Sequence, residues 1–547
     1  MTYPADRWWH DKVAYQIYPR SFCDSDGDGI GDLQGIRSKL DHLQDLGIGF
    51  IWLSPVYRSP MVDNGYDISD YREIAPEFGT MEDFDALLAD ARARGIGMVM
   101  DLVVNHTSDR HPWFLAARAD RAAPERDFYI WRDPAPDGGP PDDRHAYFGG
   151  PAWTLAPETG QYYFNLFSPQ QPDLNWKNPA LRHEVYDMMR WWLDKGIAGF
   201  RMDVIDLIGK DVETGQIEQG PHLHTWLQEM HREVLAGRDI VTIGESWNVT
   251  TGTALLFCGR ERRELDMVFQ FEHIVQGWDP VLGKWKPRPF DLVGFKQVFT
   301  RWQEALAEDG WNSLFLSNHD LPRQVSRYGD DGAYRAASAK MLATVMHLMK
   351  GTPFIYQGEE IGMTNASFTR IDQFRDLETL NLYAEQTAAG IAAEEFIAGA
   401  NANGRDNSRT PVQWTDGPQA GFTSGTPWIE VNPNHAEVNV AAERRDPDGV
   451  LAHYRRLVRL RKDYPVIVHG RFRPWLEDHE KVFAYTREGE GQRLSVIGNF
   501  TAEPNELEVP PDLRAQGPVL VATARPRDGI GARITLEPYE SLAVLDG

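Results

Sequence analysis

The sequence predicts an α/β protein: a (β/α)8 barrel of the TIM class, with an inserted loop-rich domain after the third strand and a C-terminal antiparallel β domain. Three observations predict it. Short apolar runs alternate with stretches of helical spacing, the rhythm of parallel strands joined by crossover helices. Eight such runs occur, the number that closes a parallel barrel. The chain has 547 residues, too many for one ordinary domain and suited to a large barrel with additions.

The first three strands are VAYQIYPRSF (13–22), IGFIWLSPVY (48–57) and IGMVMDLVVNH (96–106). Between them, DLQGIRSKLDHLQDLG and MEDFDALLADARARG have helical spacing and end at a glycine stop. The rhythm breaks after His106. RDPAPDGGPPDDRH (132–145) is rich in Pro, Gly and Asp and marks a loop. Aromatic pieces, AYFGGPAW and GQYYFNLF, flank it, so 107–177 reads as an inserted domain rather than a linker. Five further strands follow: IAGFRMDVI (197–205), DIVTIGESW (239–247), ELDMVFQFE (264–272), NSLFLSNHD (312–320) and GTPFIYQGEE (351–360). Another excursion spans 364–430, and a helix near 448–463 closes the barrel region. KVFAYTR, RLSVIGNF, GPVLVAT and RITLEPYESLAVLD then read as short antiparallel strands. The expected division is a barrel at 1–106 and 178–467, an inserted domain at 107–177, and a C-terminal β-sandwich at 468–547.

Composition narrows the function classes. A formal net charge of -25 disfavours nucleic acid and anionic membranes as partners. No run of apolar residues is long enough to span a membrane. The two cysteines, Cys23 and Cys258, give no disulfide framework, and the opening MTYPADRWWHDK has no signal-peptide pattern. A cytoplasmic monomer is the expectation, with a neutral or cationic small molecule, or none, as its partner. Trp, Tyr and Phe number 18, 19 and 25, enough to supply both a core and a sugar-stacking cleft.

In such a barrel, polar residues at strand C-terminal ends point into the active-site mouth. The third strand ends in Asn105-His106, the fourth carries Arg201 and Asp203, the fifth Glu245, and the seventh His319-Asp320. A lone acid at a strand end is as readily a surface salt bridge. Three acids, an arginine and two histidines from separate strands are not. Arg201 and Asp203 are two apart on a strand and share a face, so the guanidinium can keep the carboxylate ionised. Glu245 must carry a proton to donate to a leaving oxygen, and Trp247 is placed to exclude water from it. Two carboxyls with opposed tasks are the mark of glycoside hydrolysis.

The blocks DLVVNH, GFRMD, GES and FLSNHD, in this order, resemble the signature of the α-amylase family of glycoside hydrolases. The resemblance runs over nearly the whole chain. WWHDKVAYQIYPRSF, NGYDISDY and RTPVQW (409–414) are similar to the oligo-1,6-glucosidase and dextran glucosidase branch. The resemblance implies Asp203 as nucleophile, Glu245 as acid/base, and Asp320 as the carboxylate that grips sugar hydroxyls. It implies that His106 and His319 bond the bound glucose and that Arg201 flanks the nucleophile. Tyr66 would stack on the terminal glucose. Asp67 would bind its far hydroxyl and pair with Arg405 of GRDNSR, closing the pocket's far end. Phe148 of AYFGGPAW would wall the same pocket, with a core phenylalanine as the bland alternative.

The loop DSDGDGIGD (24–32) alternates acidic oxygens around Gly29, as a hard cation requires. Asp24, Asp26, Asp28, the Ile30 carbonyl and Asp32 would suit a structural Ca2+, with Mg2+ as the alternative ion. It departs from an EF-hand in having no glutamate from Leu33 to Arg37. A solvated acidic turn is the competing reading.

Val204, directly after the nucleophile, implies by resemblance a preference for α-1,6 bonds, as does QPDLNW (171–176). A buried strand valine is the plain alternative. Trp247 could form a platform for a second glucose, and VFQFEH (268–273) resembles the dextran glucosidase version of its block. The expected activity is a retaining, exo-acting hydrolysis of isomalto-oligosaccharides through a covalent glucosyl-enzyme. The enzymatic alternatives are an α-1,4-glucosidase, or a transglycosylating relative such as a trehalose synthase or sucrose isomerase. A non-catalytic scaffold, as in the heavy chains of amino-acid transporters, would need an anchor and tolerate loss of the acids. All three acids are present.

Overall fold

A computed structural model describes residues 7–547. The first six residues of the MTYPADRWWHDK stretch lie outside the described residues. Eight parallel strands form the barrel: β1 (Ala14–Ile17), β2 (Phe50–Leu53), β3 (Gly97–Leu102), β4 (Gly199–Met202), β5 (Val241–Glu245), β6 (Met267–Phe269), β7 (Ser313–Leu314) and β8 (Thr352–Tyr356). Their order round the sheet is β6-β5-β4-β3-β2-β1-β8-β7. A parallel bridge from Val268 to Asn312 joins β6 to β7 and closes the circle. Nearly every strand residue is buried, which is why the strands read as continuous apolar runs rather than as alternation. β7 is paired over only two residues; Phe315–Asp320 carries the chain on to the barrel mouth.

The crossover helices follow their sequence cues. Thr80 caps Met81–Ala93, and its partner Asp83 returns a bond to the Thr80 N–H, a full capping box. Phe84, Leu87, Leu88 and Ala91 form the buried stripe of that helix. At the start of β4, Gly199 has φ +148°, and a Cβ there would meet the Val241 carbonyl oxygen at 1.8 Å. Only glycine lets β4 and β5 lie this close.

The segment after β3 carries a three-stranded antiparallel sheet, Trp131–Arg132, Gln161–Phe164 and Trp153–Ala156. Its inner cluster, including Trp153, Phe164 and Leu166, packs on Val204, Leu207 and Val212 of the chain that leaves β4. This inserted segment is thus seated directly over the end of β4. Beyond the helix Val450–Asp463, a five-stranded antiparallel sheet and a two-stranded ribbon enclose a separate apolar core. Among the described residues no helix is long and apolar enough to cross a membrane.

Six buried histidines are held neutral by loss of solvent. Burial pushes His106 down to about 4, and His111, His273, His319, His347 and His453 to about 3. His347 packs edge-on against Tyr454, away from the barrel mouth. Below its ordinary value of 6.5 the unfolded chain takes up a proton at this ring that the folded chain refuses until about pH 3. Acidification through that window should therefore cost about 1.4 kcal/mol of stability per pH unit from this one ring. Denaturant titrations of wild type and His347→Phe between pH 6 and 4 should diverge by that slope; parallel curves would contradict it.

Candidate active site

The register of the barrel places Asp101 of β3 opposite Arg201 of β4. Both side chains point into the barrel, and Arg201 Nη1 bonds Asp101 Oδ1 and Oδ2 at 3.0 and 3.2 Å. The same Nη1 donates to Asp203 Oδ1 at 2.7 Å, and Nη2 to Glu245 Oε2 at 2.5 Å. One guanidinium thus touches all three carboxyls. It is 1% exposed and lies 4.6 Å over the ring of Trp52. Burial pushes the Asp203 carboxyl well up, and the charges of Glu245 and Asp101 push the same way; Arg201 opposes them. Glu245 receives two more donors, Val204 N–H at 3.1 Å on Oε2 and Trp247 Nε1–H at 3.0 Å on Oε1. Trp247 stacks one face on Phe271 at 3.9 Å, and that packing fixes its N–H. Val204 itself is left-handed, φ 35° and ψ 46°, which is strained for a β-branched residue.

His319 and Asp320 follow β7. Gln16 Nε2 donates to His319 Nδ1 at 2.8 Å, which leaves Nε2–H facing Asp320 Oδ2 at 3.1 Å. Tyr66 stacks on the His319 ring at 5.1 Å and donates its O–H to Asp101 at 3.0 Å. His106 lies on the opposite flank, its Nε2 2.9 Å from the Tyr66 carbonyl oxygen. Burial works to raise Asp320, but His319, Arg405 and Arg409 outweigh it and hold the carboxyl well below the usual range.

The pocket's far end differs from the sequence expectation in one residue. Asp67 does not reach Arg405. Its carboxylate accepts from Ser59 Oγ, Val62 N–H and Asp63 N–H at 2.9, 3.0 and 3.0 Å, closing its own turn. Asn64 and Gly65 are left-handed there, which folds Asp67 back onto the turn and leaves Asp63 facing the pocket. Asp63 Oδ1 meets Arg405 Nη2 at 3.2 Å. The Phe148 ring lies 4.6 Å beneath the Arg405 guanidinium. At the rim, Lys284 pairs with Glu378 at 2.5 Å.

Several groups were not singled out from sequence. Asp101 had a signal, an acid in the middle of an apolar strand. Gln171 sits inside the quoted QPDLNW block and donates to Asp63 at 3.1 Å. Arg409 sits inside the quoted GRDNSR and RTPVQW blocks. Asp376 gave no signal, because its partners are distant in sequence.

In the loop after β1, oxygens of Asp24, Asp26 and Asp28 lie within 4.8 Å of one another. Asp32 does not join them. It caps the helix Leu33–Ser38 through Gly35 N–H at 2.6 Å and also accepts from Ser25. The Ile30 N–H donates to Asp28 at 2.7 Å.

Residues 16–470 match the alpha amylase catalytic domain, and 472–542 the C-terminal domain of maltogenic amylase. The chain belongs to the α-amylase family. It is a glycoside hydrolase of that family, with close relatives named for α-1,6-glucoside hydrolysis. It is 56% identical to the palatinase of Erwinia rhapontici over 541 residues, 98% of either chain. It is 50% identical to the oligo-1,6-glucosidase of Halalkalibacterium halodurans over 556 residues, 98% of this chain and 99% of that one. The crystal structure of an isomaltulose synthase from Klebsiella sp. LX3 superposes with a TM-score of 0.95 at 41% identity, covering 100% of both chains. For this α-amylase-family site, Arg201→Gln removes the cation that opposes protonation of Asp203. A carboxyl with a raised pKa is ionised only at higher pH. The acid limb of the kcat/KM profile should move up by about one unit or more, with turnover reduced about 1000-fold. A limb that stays in place would separate Arg201 from Asp203.

Proposed function

We propose that this protein removes single α-1,6-linked glucose units from the non-reducing ends of isomalto-oligosaccharides, with retention. The wall built by Arg405, Asp63 and Phe148 supports the reading, because a closed wall on that side would stop the chain beyond one glucose unit. Asp203 and Glu245 are bridged by one guanidinium. That favours the ~5–5.5 Å spacing of retaining enzymes over the ~6.5–9.5 Å of inverting ones. Glu245 gives its proton to the glycosidic oxygen as Asp203 forms a bond to the anomeric carbon. The leaving sugar departs, and Glu245 then takes a proton from the water that breaks the glucosyl ester. Asp320 and the neutral His106 and His319 hold the sugar hydroxyls, and Asp63 takes the far-hydroxyl role expected of Asp67. Trp247 and Val204 border the leaving-group side.

The α-1,6 preference is supported by the names of the relatives and by Val204. A second reading has an observation behind it: the palatinase relative at 56% identity favours a leaving sugar other than glucose. Isomaltotriose, isomaltulose, maltotriose and sucrose should be compared, with the anomer of the released glucose followed by NMR. Isomaltotriose should be cleaved fastest, releasing α-glucose. Rapid maltotriose cleavage with isomaltotriose untouched, or β-glucose as first product, would overturn the reading. Rearranged disaccharides from sucrose would move the chain to the isomerases.

The acidic loop is proposed as a structural Ca2+ or Mg2+ site. Asp24, Asp26 and Asp28 fit a hard cation: burial and the charges of Asp26 and Asp24 push Asp28 up, a repulsion a divalent ion relieves. Chelation should lower Tm by about 3–8 °C, reversed by adding Ca2+, while activity well below the transition persists. An unmoved midpoint would leave the loop a solvated turn.

A further inference from the structure

Behind the pocket's closed end lies a carboxylate that touches no open space. Asp376 has 0% of its surface exposed. Its Oδ1 accepts from Arg405 Nε at 2.8 Å, lies 2.5 Å from Arg405 Nη2, and lies 3.4 Å from Arg409 Nη1. Its Oδ2 accepts from Thr379 N–H at 3.0 Å and Thr379 Oγ1–H at 2.6 Å, capping the helix Leu377–Ala388. The contact is reciprocated: Asp406 Oδ2 accepts from the backbone N–H of Arg375 and of Asp376 at 2.7 and 3.0 Å. Segments 375–379 and 405–409 are latched in both directions, side chain to side chain and side chain to backbone.

The latch fixes where the two guanidiniums spend their remaining donors. With Nε held on Asp376, Arg405 directs Nη1 to Asp320 Oδ1 at 3.3 Å and Nη2 to Asp63 Oδ1 at 3.2 Å. Arg409 directs Nη2 to the same Asp320 Oδ1 at 2.8 Å and Nε to the His319 carbonyl oxygen at 3.1 Å. Both arginines therefore hang between Asp376 behind and Asp320 in front, and both touch Asp320 on Oδ1. Among the described residues Oδ2 of Asp320 has His319 as its partner, which leaves this oxygen clear of both arginines.

We infer that Asp376 is a positioning residue for glucose recognition: it holds Arg405 and Arg409 back so that Asp320 keeps an oxygen for the substrate. Burial works to raise Asp376, but Arg405 and Arg409 hold it well below the usual carboxylate range, so its charge is present throughout the working pH range. Without that charge both guanidiniums close on Asp320 and compete with the sugar hydroxyls. The inference rests on reading the Arg405 wall as the end of the glucose pocket.

Two variants separate the charge from the cap. Asn is as good an N-cap as Asp, but in Asp376→Asn an amide NH2 faces Arg405, donor against donor. Glu keeps the charge and caps poorly. On p-nitrophenyl α-glucoside, Asp376→Asn should raise both KM and the inhibition constant for glucose about 30-fold, with kcat changed about threefold or less. Its Tm should stay within about 3 °C of wild type. Asp376→Glu should show the reverse: a lower Tm, with KM and glucose inhibition within about fivefold of wild type. Wild-type affinity in Asp376→Asn, or Glu weaker for glucose than Asn, would overturn the inference and leave Asp376 a helix cap. If Asp376→Asn does not fold, the glucose inhibition constant of Asp376→Glu decides alone. A value within about fivefold supports the role, and a rise of about 30-fold ends it. The pocket reading fails separately, if wild type releases oligosaccharides rather than glucose from isomaltotetraose.

Discussion

One guanidinium organises the reacting end of this protein. Arg201 faces Asp101, Asp203 and Glu245 together, so a single positive charge serves three carboxyls. Fully ionised, that cluster carries two negative charges in excess; with Glu245 protonated it carries one. An isolated buried excess of this kind is costly. It is also what a glucosyl cation needs, since positive charge develops on the sugar ring as the glycosidic bond breaks. The barrel makes the cluster possible. The register that sets Asp101 opposite Arg201, and the two-residue period that puts Arg201 and Asp203 on one face, are properties of the sheet. A slip of one residue between β3 and β4 would send the arginine to the helix layer and leave the acids unopposed.

The far end of the pocket is built differently. Asp63, Asp320 and Asp376 face two arginines rather than one. One negative charge is left in excess there, and all three carboxylates are held by guanidinium donors. Donors fixed in this way orient hydroxyl partners by geometry. Recognition and chemistry are thus divided along the pocket. The stacked pair Tyr66 and His319 stands at the boundary, linking Asp101 on one side to Asp320 on the other.

Much of this was legible in the sequence, for reasons that can be named. Parallel strands buried on both faces leave continuous apolar runs, so all eight were visible, even β7 with only two paired residues. Acids at the ends of such runs have nowhere to go but the barrel mouth, which is why Asp203, Glu245 and Asp320 could be placed. Asp63 and Asp67 flank the same short turn, and periodicity cannot rank them. The left-handed Asn64 and Gly65 decide it, and dihedral angles are not written in composition. Asp376 lay beyond reach for another reason. It is 33 residues from Arg409, with the helices Leu377–Ala388 and Ala393–Asn403 between, so no single helix or strand period relates the two.

Val204 joins the question of bond preference to that of catalysis. Its side chain packs among Ala152, Trp153 and Phe164 of the inserted domain, so it registers how that domain sits over the barrel. Its N–H bonds Glu245, the acid/base proposed above. A left-handed valine costs about 1–3 kcal/mol, sustained only because the packing on one side and the hydrogen bond on the other over-determine it. The side chain packed against the inserted segment and the donor that holds Glu245 therefore belong to one strained residue. Any substitution there that reshapes the leaving-group wall also shifts the backbone angle at which the N–H meets Glu245. On the proposed reading, bond preference and turnover at this site are consequently two readings of a single backbone geometry, and a change in one without the other requires the inserted segment to move as well.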